Sequence, residues 1–261
     1  MTKNLITFAV VLALLPTTAD GVPVTPLAQS SFNSPPFTAG ITVDGQGGSE
    51  PGWAAPWQKL GGFSDRGHVV SSPTFEGNGA VQLFADQVFG TSVEREWANI
   101  VPVVRVDAFV FVTPGASMNG QIVTATPASG EIDTRSAGDW QIEGNGLIDV
   151  LDKTTNGFVH TGFQTLPNQW NEYSLIADTN THTFSFLFNN QPFNSPHPLP
   201  FLNSMAYVDG INLRALGTLT SYADSVQVGV VPEPSSLALL AISGLALSGT
   251  AIWRRRASAI G

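Results

Sequence analysis

Short runs of alternating apolar and polar residues dominate the middle of the chain. The clearest run is residues 101–112, which ends at Pro114-Gly115. Its alternating apolar side chains would share one face of a strand: Val104, Val106, Ala108, Val110 and Val112. Because a half-buried strand shows this two-residue period, we predict a long strand here with those side chains in the core.

Similar runs follow one another between Gly, Pro and Asn-rich turns. Residues 80–85 and 92–97 are predicted to precede the long strand as a pair, and further strands are expected at residues 121–126, 140–143, 147–151, 170–177, 181–189, 207–208, 211–216 and 222–228. The turns Gly144-Asn145-Gly146 and Asp178-Thr179-Asn180 predict two hairpins. Phe184, Phe186 and Phe188 share one strand face and are expected to fill the core.

No long amphipathic helix interrupts these runs, and no repeat of fixed period is present. A series of short strands without intervening helices is typical of a two-sheet protein. We therefore predict an all-β fold, an antiparallel jelly-roll β-sandwich, over residues 20–230.

The N-terminus has the pattern of an export signal. Lys3 precedes an apolar run over residues 5–15, and the small residues Thr17 and Ala19 occupy the −3 and −1 positions of a cleavage after Ala19. Residues 1–19 are predicted to be a signal peptide. The alternative is a buried N-terminal strand or helix.

The C-terminus has a second apolar segment. Residues 235–253 carry no charge, and Arg254, Arg255 and Arg256 follow at once. As a helix this segment would reach roughly 28 Å, close to the thickness of a bilayer core. We predict a transmembrane helix with the arginines on the cytoplasmic side and the rest of the chain outside. A buried core helix is the alternative.

Pro232, Glu233 and Pro234 stand directly before this segment. The order Pro-Glu-Pro, apolar span and arginine cluster over residues 231–256 resembles the PEP-CTERM sorting signal. The resemblance implies recognition near Pro232–Pro234 by an exosortase, a membrane cysteine transpeptidase. It also implies a protein that is anchored in the inner membrane before processing and then reaches the cell envelope or the extracellular polysaccharide matrix.

The body carries a more diffuse resemblance. Its parts are Phe32, the Gly45-Gln46-Gly47-Gly48 turn with Trp53, residues 169–173, the phenylalanine strand and residues 222–228. Together they resemble concanavalin A-like, laminin-G-like sandwiches. The resemblance implies a lectin-like or glucanase-like jelly roll and leaves open whether sugar is bound.

The net charge of the chain limits which functions are plausible for it. The chain has 20 acidic and 11 basic residues, a formal net charge of −9, and no cysteine. Lys3 and the terminal arginines lie outside the body, which is therefore still more acidic. Binding to nucleic acid through phosphates is disfavoured, whereas neutral polysaccharide or divalent cations are compatible. The absence of cysteine excludes disulfides and thiol chemistry.

Glu131-Ile132-Asp133 resembles part of the Glu-x-Asp-x-(x)-Glu strand of concanavalin A-like glucanases. Retaining glycoside hydrolysis needs two carboxyl groups about 5 Å apart. Arg135 and Ser136 stand where the second catalytic glutamate would fall. We therefore predict a protein without enzymatic activity, with a glycoside hydrolase acting on matrix polysaccharide through Glu131 and Asp133 as the alternative.

Other candidate sites are weaker. Glu94 and Glu96 could form a carboxylate pair, but an outward polar strand face beside Trp97 is the favoured interpretation. Asp149, Asp152 and Asn145, or Asp44, could contribute to a calcium site that the sequence does not place. No other cofactor is expected. Core packing is the commoner fate of tryptophans in a sandwich, and Trp170 is expected in the core. Core packing is favoured less strongly for Trp53 and Trp57, which lie in a Pro/Gly-rich loop and are the candidate glycan contacts.

Overall fold

The computed structural model describes residues 24–59, 67–84, 91–124, 135–216 and 218–232. These residues form strands and turns arranged as two antiparallel sheets, and no helix among them could span a membrane. The predicted signal peptide and transmembrane helix lie outside the described residues, so both stay predictions.

The larger sheet has nine strands in the described ranges. They are β1 (Thr25–Ser30), β3 (Gly67–Val70), β4 (Ala80–Leu83), β6 (Val103–Val112), β11 (Trp170–Asp178), β12 (Thr183–Phe188), β13 (Gln191–Pro192), β14 (Leu199–Pro200) and β16 (Ser221–Val230). The path runs β13-β12-β11-β6-β16-β4-β3, with β1 paired to β16 and β14 paired to β12.

The smaller sheet has seven strands in the described ranges. They are β2 (Gln58–Lys59), β5 (Thr91–Glu96), β7 (Ser117–Val123), β8 (Ser136–Ile142), β9 (Leu147–Asp152), β10 (Gly157–Gln164) and β15 (Gly210–Leu216). Their order is β10-β9-β8-β7-β15-β5-β2. The predicted all-β antiparallel sandwich is confirmed.

The core lies between the two sheets. The alternating valines and alanine of β6 are buried, as predicted, and so are Phe184, Phe186 and Phe188 of β12. Trp140 of β8 stacks on Tyr173 of β11 across the core, with ring centroids 4.4 Å apart. These contacts hold one sheet against the other because large aromatic rings bury the most apolar area.

Gly120 makes room for that stack. It lies opposite Trp140 in the β7–β8 register, and a Cβ atom built on it would come within 2.4 Å of the indole ring. The ring therefore occupies the space over the Gly120 backbone, which no larger residue leaves free.

The two predicted hairpins are confirmed as β8–β9 and β11–β12. The predicted pairing of residues 80–85 with 92–97 is wrong, because β4 lies in the larger sheet and β5 in the smaller one. Residues 207–208 lie outside any strand. Strands β1, β3 and β10 were not predicted, because their sequences have weak alternation.

Both ends of the body leave from the same end of the larger sheet. Thr25 of β1 pairs with Val230 of β16, and the Val231 N–H donates to the Val103 carbonyl oxygen at 3.2 Å. The turn after β11 also lies here, where Thr179 N–H donates to Pro102 O at 2.8 Å. We call this the tail end, because the chain continues from it towards residues 233–261.

Candidate functional site

The outer face of the seven-stranded sheet carries polar side chains at almost every position. On β7 the inward side chains Met118 and Ile122 are in the core, so Asn119 and Gln121 point to the outer face. Cross-strand partners share a face, and the strand registers therefore align outward residues in rows across the sheet.

Two adjacent rows result. The first contains Ser92, Arg214, Asn119, Gln141, Asp149 and His160. The second contains Gln58, Glu94, Asn212, Gln121, Asp139 and, through the β9–β10 pairing, Leu151 and Phe158. We call this surface the polar face.

The amides of the polar face use their donors and leave acceptors unused. Gln121 Nε2 donates to Asp139 Oδ2 at 2.9 Å, and Asn212 Nδ2 donates to Ser92 Oγ at 2.6 Å and Val93 O at 3.2 Å. Since a carboxylate and a carbonyl oxygen only accept, the nitrogen of each amide must face them.

The two amide oxygens therefore point elsewhere. Gln121 Oε1 and Asn212 Oδ1 are buried and have no hydrogen-bond partner among the described residues, and the two side chains are direct neighbours on β7 and β15. Gln121 is 5% exposed and Asn212 is 0% exposed. A buried acceptor without a partner is costly, so either oxygen would gain a hydrogen bond if a donor reached it.

A cavity of about 250 Å³ opens beside Gln121. Leu151 and Leu202 supply its apolar walls. Its polar lining comes from Gln121, Ser136, Asp139, Asp152, Lys153, Asn156 and Asn203. Carboxylate, amide and ammonium groups in one cavity can accept from and donate to several hydroxyl groups at once. This combination of polar side chains on an apolar wall is typical of ligand sites.

One buried ion pair stabilises the polar face. Arg135 binds Glu94 through both guanidinium nitrogens, Nη1 to Oε1 at 3.0 Å and Nη2 to Oε2 at 3.1 Å. Burial raises the pKa of Glu94 above its usual value, and Arg135 partly opposes that shift. The geometry therefore places Glu94 on an outward polar face, as favoured from the sequence, and in a bidentate pair with Arg135 instead of a carboxylate pair with Glu96.

The edge of the polar face is exposed. His160 Nδ1 lies 2.5 Å from Asp149 Oδ1, and this contact raises the pKa of His160. Phe158 on the same strand is 43% exposed and lies opposite Leu151 of the cavity wall. An exposed ring beside a polar cavity can stack on the apolar face of a sugar.

The structure corrects the assignment of Trp53 and Trp57 as glycan contacts. Trp57 is 0% exposed and Trp53 is 9% exposed. Trp57 Nε1 donates to Ser30 Oγ at 3.1 Å, and the guanidinium carbon of Arg95 lies 4.4 Å from the centroid of the Trp53 ring. Both rings pack around the buried Arg95–Glu50 ion pair, so neither presents a face for a sugar.

Trp170 differs from the prediction in the other direction. It was expected in the core, but it is half-buried on the outer face of the nine-stranded sheet. Tyr173 is the inward residue of that strand, and Trp170 shares its outward parity with Glu172. Glu172, two positions later in the same strand, was the signal in the sequence that could have placed Trp170 on the outer face.

The calcium ligands suggested by the sequence are not brought together. Asp149 contacts His160, Asp152 contacts Thr154 and His197, and Asp44 accepts from the Lys59 N–H. Asn145 stabilises the β8–β9 turn, where its Oδ1 accepts from Leu147 N–H at 2.8 Å. Among the described residues, no group of three or more His, Asp or Glu side chains could hold a metal ion.

Several other predicted positions fall outside the described residues. Glu131 and Asp133 lie in the gap before Arg135, and Glu233, Pro234, Arg254, Arg255 and Arg256 follow the last described residue. Pro232 is half-buried just after β16. The roles assigned to all of them stay predictions.

Sequence reasoning placed Glu94 on an outward polar face but missed the cluster that Gln121, Asp139 and Asn212 form on it. The signal was present in residues 118–122, where Met118 and Ile122 alternate with Asn119 and Gln121. Polar residues at every second position of a strand usually indicate a solvated face. Only the register of the neighbouring strands shows that these residues meet Asp139 and Asn212.

The C-terminal part of the chain matches the family description "PEP-CTERM protein-sorting motif" over residues 230–256. The chain therefore carries a PEP-CTERM sorting motif. Among proteins with curated functions, none matches this sequence.

Solved structures resemble the body. The globular domain of T. cruzi calreticulin is 10% identical, with a TM-score of 0.51, and the match covers 83% of this chain and 92% of that domain. This likeness shows a shared β-sandwich fold and does not by itself assign a function.

Weaker likenesses involve parts of two further proteins. Domain 4 of a GH43 extracellular arabinanase from Geobacillus stearothermophilus, in complex with arabinotriose, is 12% identical with a TM-score of 0.47, covering 82% of this chain and 96% of that domain. A sialidase is 9% identical with a TM-score of 0.49, covering 66% of this chain but only 17% of the sialidase.

Proposed function

We propose that this chain is an exported protein, sorted by an exosortase-like enzyme, whose β-sandwich binds a neutral polysaccharide without cleaving it. The sorting motif supports export and sorting, and it stands directly after the last strand of the body. The polar face supports the binding of a polysaccharide.

The observation that carries the binding proposal is Gln121, which lines a cavity of about 250 Å³ and whose buried Oε1 has no hydrogen-bond partner among the described residues. A second unused acceptor, Asn212 Oδ1, lies on the neighbouring strand β15. Sugars present many hydroxyl donors on a compact ring. Neighbouring acceptors and a nearby ammonium group from Lys153 suit such a ligand, and Phe158 adds an apolar contact at the edge.

Binding without cleavage is favoured by the state of the carboxylates on the described part of the polar face. Glu94 is paired with Arg135, Asp139 accepts from Asn119 and Gln121, and Asp149 contacts His160. Each carboxylate thus has a structural partner, whereas a nucleophile or a general acid must be available to the substrate.

The binding test uses the full chain purified in detergent. Calorimetric titration with hexasaccharides of β-1,3-glucose, β-1,4-glucose, β-1,4-xylose and α-1,5-arabinose should give saturable binding to at least one. Gln121→Leu should weaken that binding about tenfold, the equivalent of one hydrogen bond of about 1.4 kcal/mol. Gln191→Leu, an exposed glutamine of the other sheet, is the control and should bind as the wild type does.

Product analysis of the same mixtures tests the absence of cleavage. Intact hexasaccharides after prolonged incubation are expected. Turnover that disappears in Glu131→Ala would establish the glycoside hydrolase alternative.

Sorting is tested in the native host. Removal of residues 232–261 should abolish membrane anchoring and change the final location of the protein. Unchanged anchoring and processing of the shortened chain would contradict the sorting proposal.

A further inference from the structure

Five aromatic side chains come together on the outer face of the nine-stranded sheet, on the side of the sandwich away from the polar face. Strand registers place Phe111 of β6 between Trp170 of β11 and Tyr222 of β16, and Phe109 is the next outward residue on β6. Phe75, from the loop between β3 and β4, completes the group. We call these residues the aromatic patch.

The rings of the patch are in mutual contact. Phe75 stacks on Phe109 with centroids 3.7 Å apart, and Phe111 lies 5.5 Å from Trp170 and 5.7 Å from Tyr222. Phe75 is 38% exposed, and the other rings are half-buried. Solvent-accessible aromatic surface is therefore concentrated in one continuous area.

Two hydrogen bonds hold the exposed ring in place. Asp224 Oδ2 accepts from the Phe75 N–H at 2.8 Å and from the Glu76 N–H at 3.0 Å. Asp224 is itself fully buried, so the anchor is part of the sheet. These bonds fix the backbone of Phe75, and the stack on Phe109 restrains its ring, so little conformational entropy is lost when a ligand stacks on it.

The patch lies at the end of the sheet opposite the tail end. Phe111 and Tyr222 are near the far ends of β6 and β16, whereas Val103 and Val230 stand at the tail end. Eight residues of extended chain from Tyr222 to Val230 span about 26 Å. If the tail enters a membrane, the patch is directed away from it.

The charges around the patch select among possible occupants. Glu76 is exposed beside Phe75, and Glu172 lies opposite Phe109, where it pairs with Arg105 at 3.1 Å. An acidic border repels anionic ligands and also a second copy of this acidic chain. A neutral polysaccharide has no such penalty, and its sugar rings have apolar C–H faces that stack on aromatic rings.

We propose that the aromatic patch is a second contact site for neutral polysaccharide, on the opposite side of the sandwich from the polar face, so that one body can join two polysaccharide chains. The patch is argued independently of the cavity beside Gln121. Joining two chains requires both sites.

The experiment uses the full chain in detergent micelles that carry one copy each. Beads coated with β-1,3-glucan, β-1,4-glucan, xylan or arabinan report two quantities: protein retained on the beads, and clumping of the beads, which requires two sites on one molecule. The wild type should be retained on at least one coating and should clump those beads.

Phe75→Ser and Trp170→Ser should each raise the protein concentration needed for clumping at least tenfold, while retention through the other site persists. Ile100→Ser is the matched control, because Ile100 is 56% exposed and lies near the tail end. It should behave as the wild type does. Thermal unfolding of each variant confirms that the body is folded.

The outcomes separate the two proposals. Gln121→Leu should also lose clumping, because the cavity is the other of the two sites. Clumping by the patch variants at wild-type concentrations overturns the second site, and so does a wild type that is retained on the beads without clumping them. Failure of every coating to retain the wild type overturns both sites. Concentration-dependent dimers that disappear in Phe75→Ser would also overturn the proposal, in favour of self-association.

Discussion

The two outer faces of this sandwich carry different side chains and expose them to solvent to different degrees. The polar face carries amides, carboxylates and arginines that are largely buried against each other, such as Asn212 at 0% and Gln121 at 5% exposure. The aromatic patch carries rings that stay partly exposed and contact one another. A buried polar network depends on every partner, whereas an exposed ring cluster tolerates the loss of one member.

The largest expected effect tests that dependence. Arg135→Met leaves Glu94 buried without its cation, and the free energy of unfolding should fall by about 3–5 kcal/mol. The double variant Glu94→Gln/Arg135→Met removes both charges and should recover most of the loss. Urea unfolding of the wild type and both variants measures these free energies. An Arg135→Met variant as stable as the wild type would show that the ion pair does not stabilise the fold.

A somewhat smaller effect is expected under the polar face. Gly120→Ala places a Cβ atom 2.4 Å from the Trp140 ring, and the forced shift should destabilise the protein by about 1–3 kcal/mol. It should also weaken glycan binding, because Asn119 and Gln121 flank this position. Gly157→Ala, whose Cβ would meet nothing within 4 Å, is the control and should leave both quantities unchanged.

A lower pH should stabilise the protein through titratable groups on both outer faces. Burial raises the pKa of Asp224 to about 6, and burial also raises the pKa of Glu94 and of Glu172, while contact with Asp149 raises the pKa of His160. Each group binds its proton more tightly in the folded state, so its contribution is complete below the unfolded pKa and is lost as pH rises through the folded pKa.

The free energy of unfolding should therefore be about 1–2 kcal/mol higher at pH 4.5 than at pH 8, mainly through Asp224. Below that range Asp152 acts in the opposite direction. Burial opposes its ionisation, but hydrogen bonds from Thr154 and His197 outweigh this and lower its pKa. Asp224→Asn should flatten the pH dependence measured by urea unfolding. A profile as steep as that of the wild type would assign the effect to other groups.

The smallest effect belongs to the aromatic patch. Phe75→Ser removes a ring that is 38% exposed, and we expect a loss of less than about 1 kcal/mol. Phe186→Ala, at 0% exposure in the core, should cost about 3–5 kcal/mol. Comparable losses in the two variants would show that Phe75 is structural and would remove the main argument for the second site.

The tryptophans show where sequence reasoning was limited. Trp170 lies in a regular strand, where the parity shared with Glu172 already indicates the outer face. Trp53 and Trp57 lie in a loop without periodicity, and their burial depends on Arg95 and Ser30, which are distant in the sequence. Local patterns assign a face only where the backbone is regular.

The sequence alone determined the sorting motif and the all-β class, because both are written in local order: a Pro-Glu-Pro followed by an uncharged span, and two-residue alternation between turns. Tertiary structure decided which strands are neighbours. Asn119, Gln121, Asp139 and Asn212 become one site, and Phe111, Trp170 and Tyr222 another, only through antiparallel registers that join distant segments. A period of two tells which way a side chain points but not what it meets, since pairing is set by the packing of the whole chain.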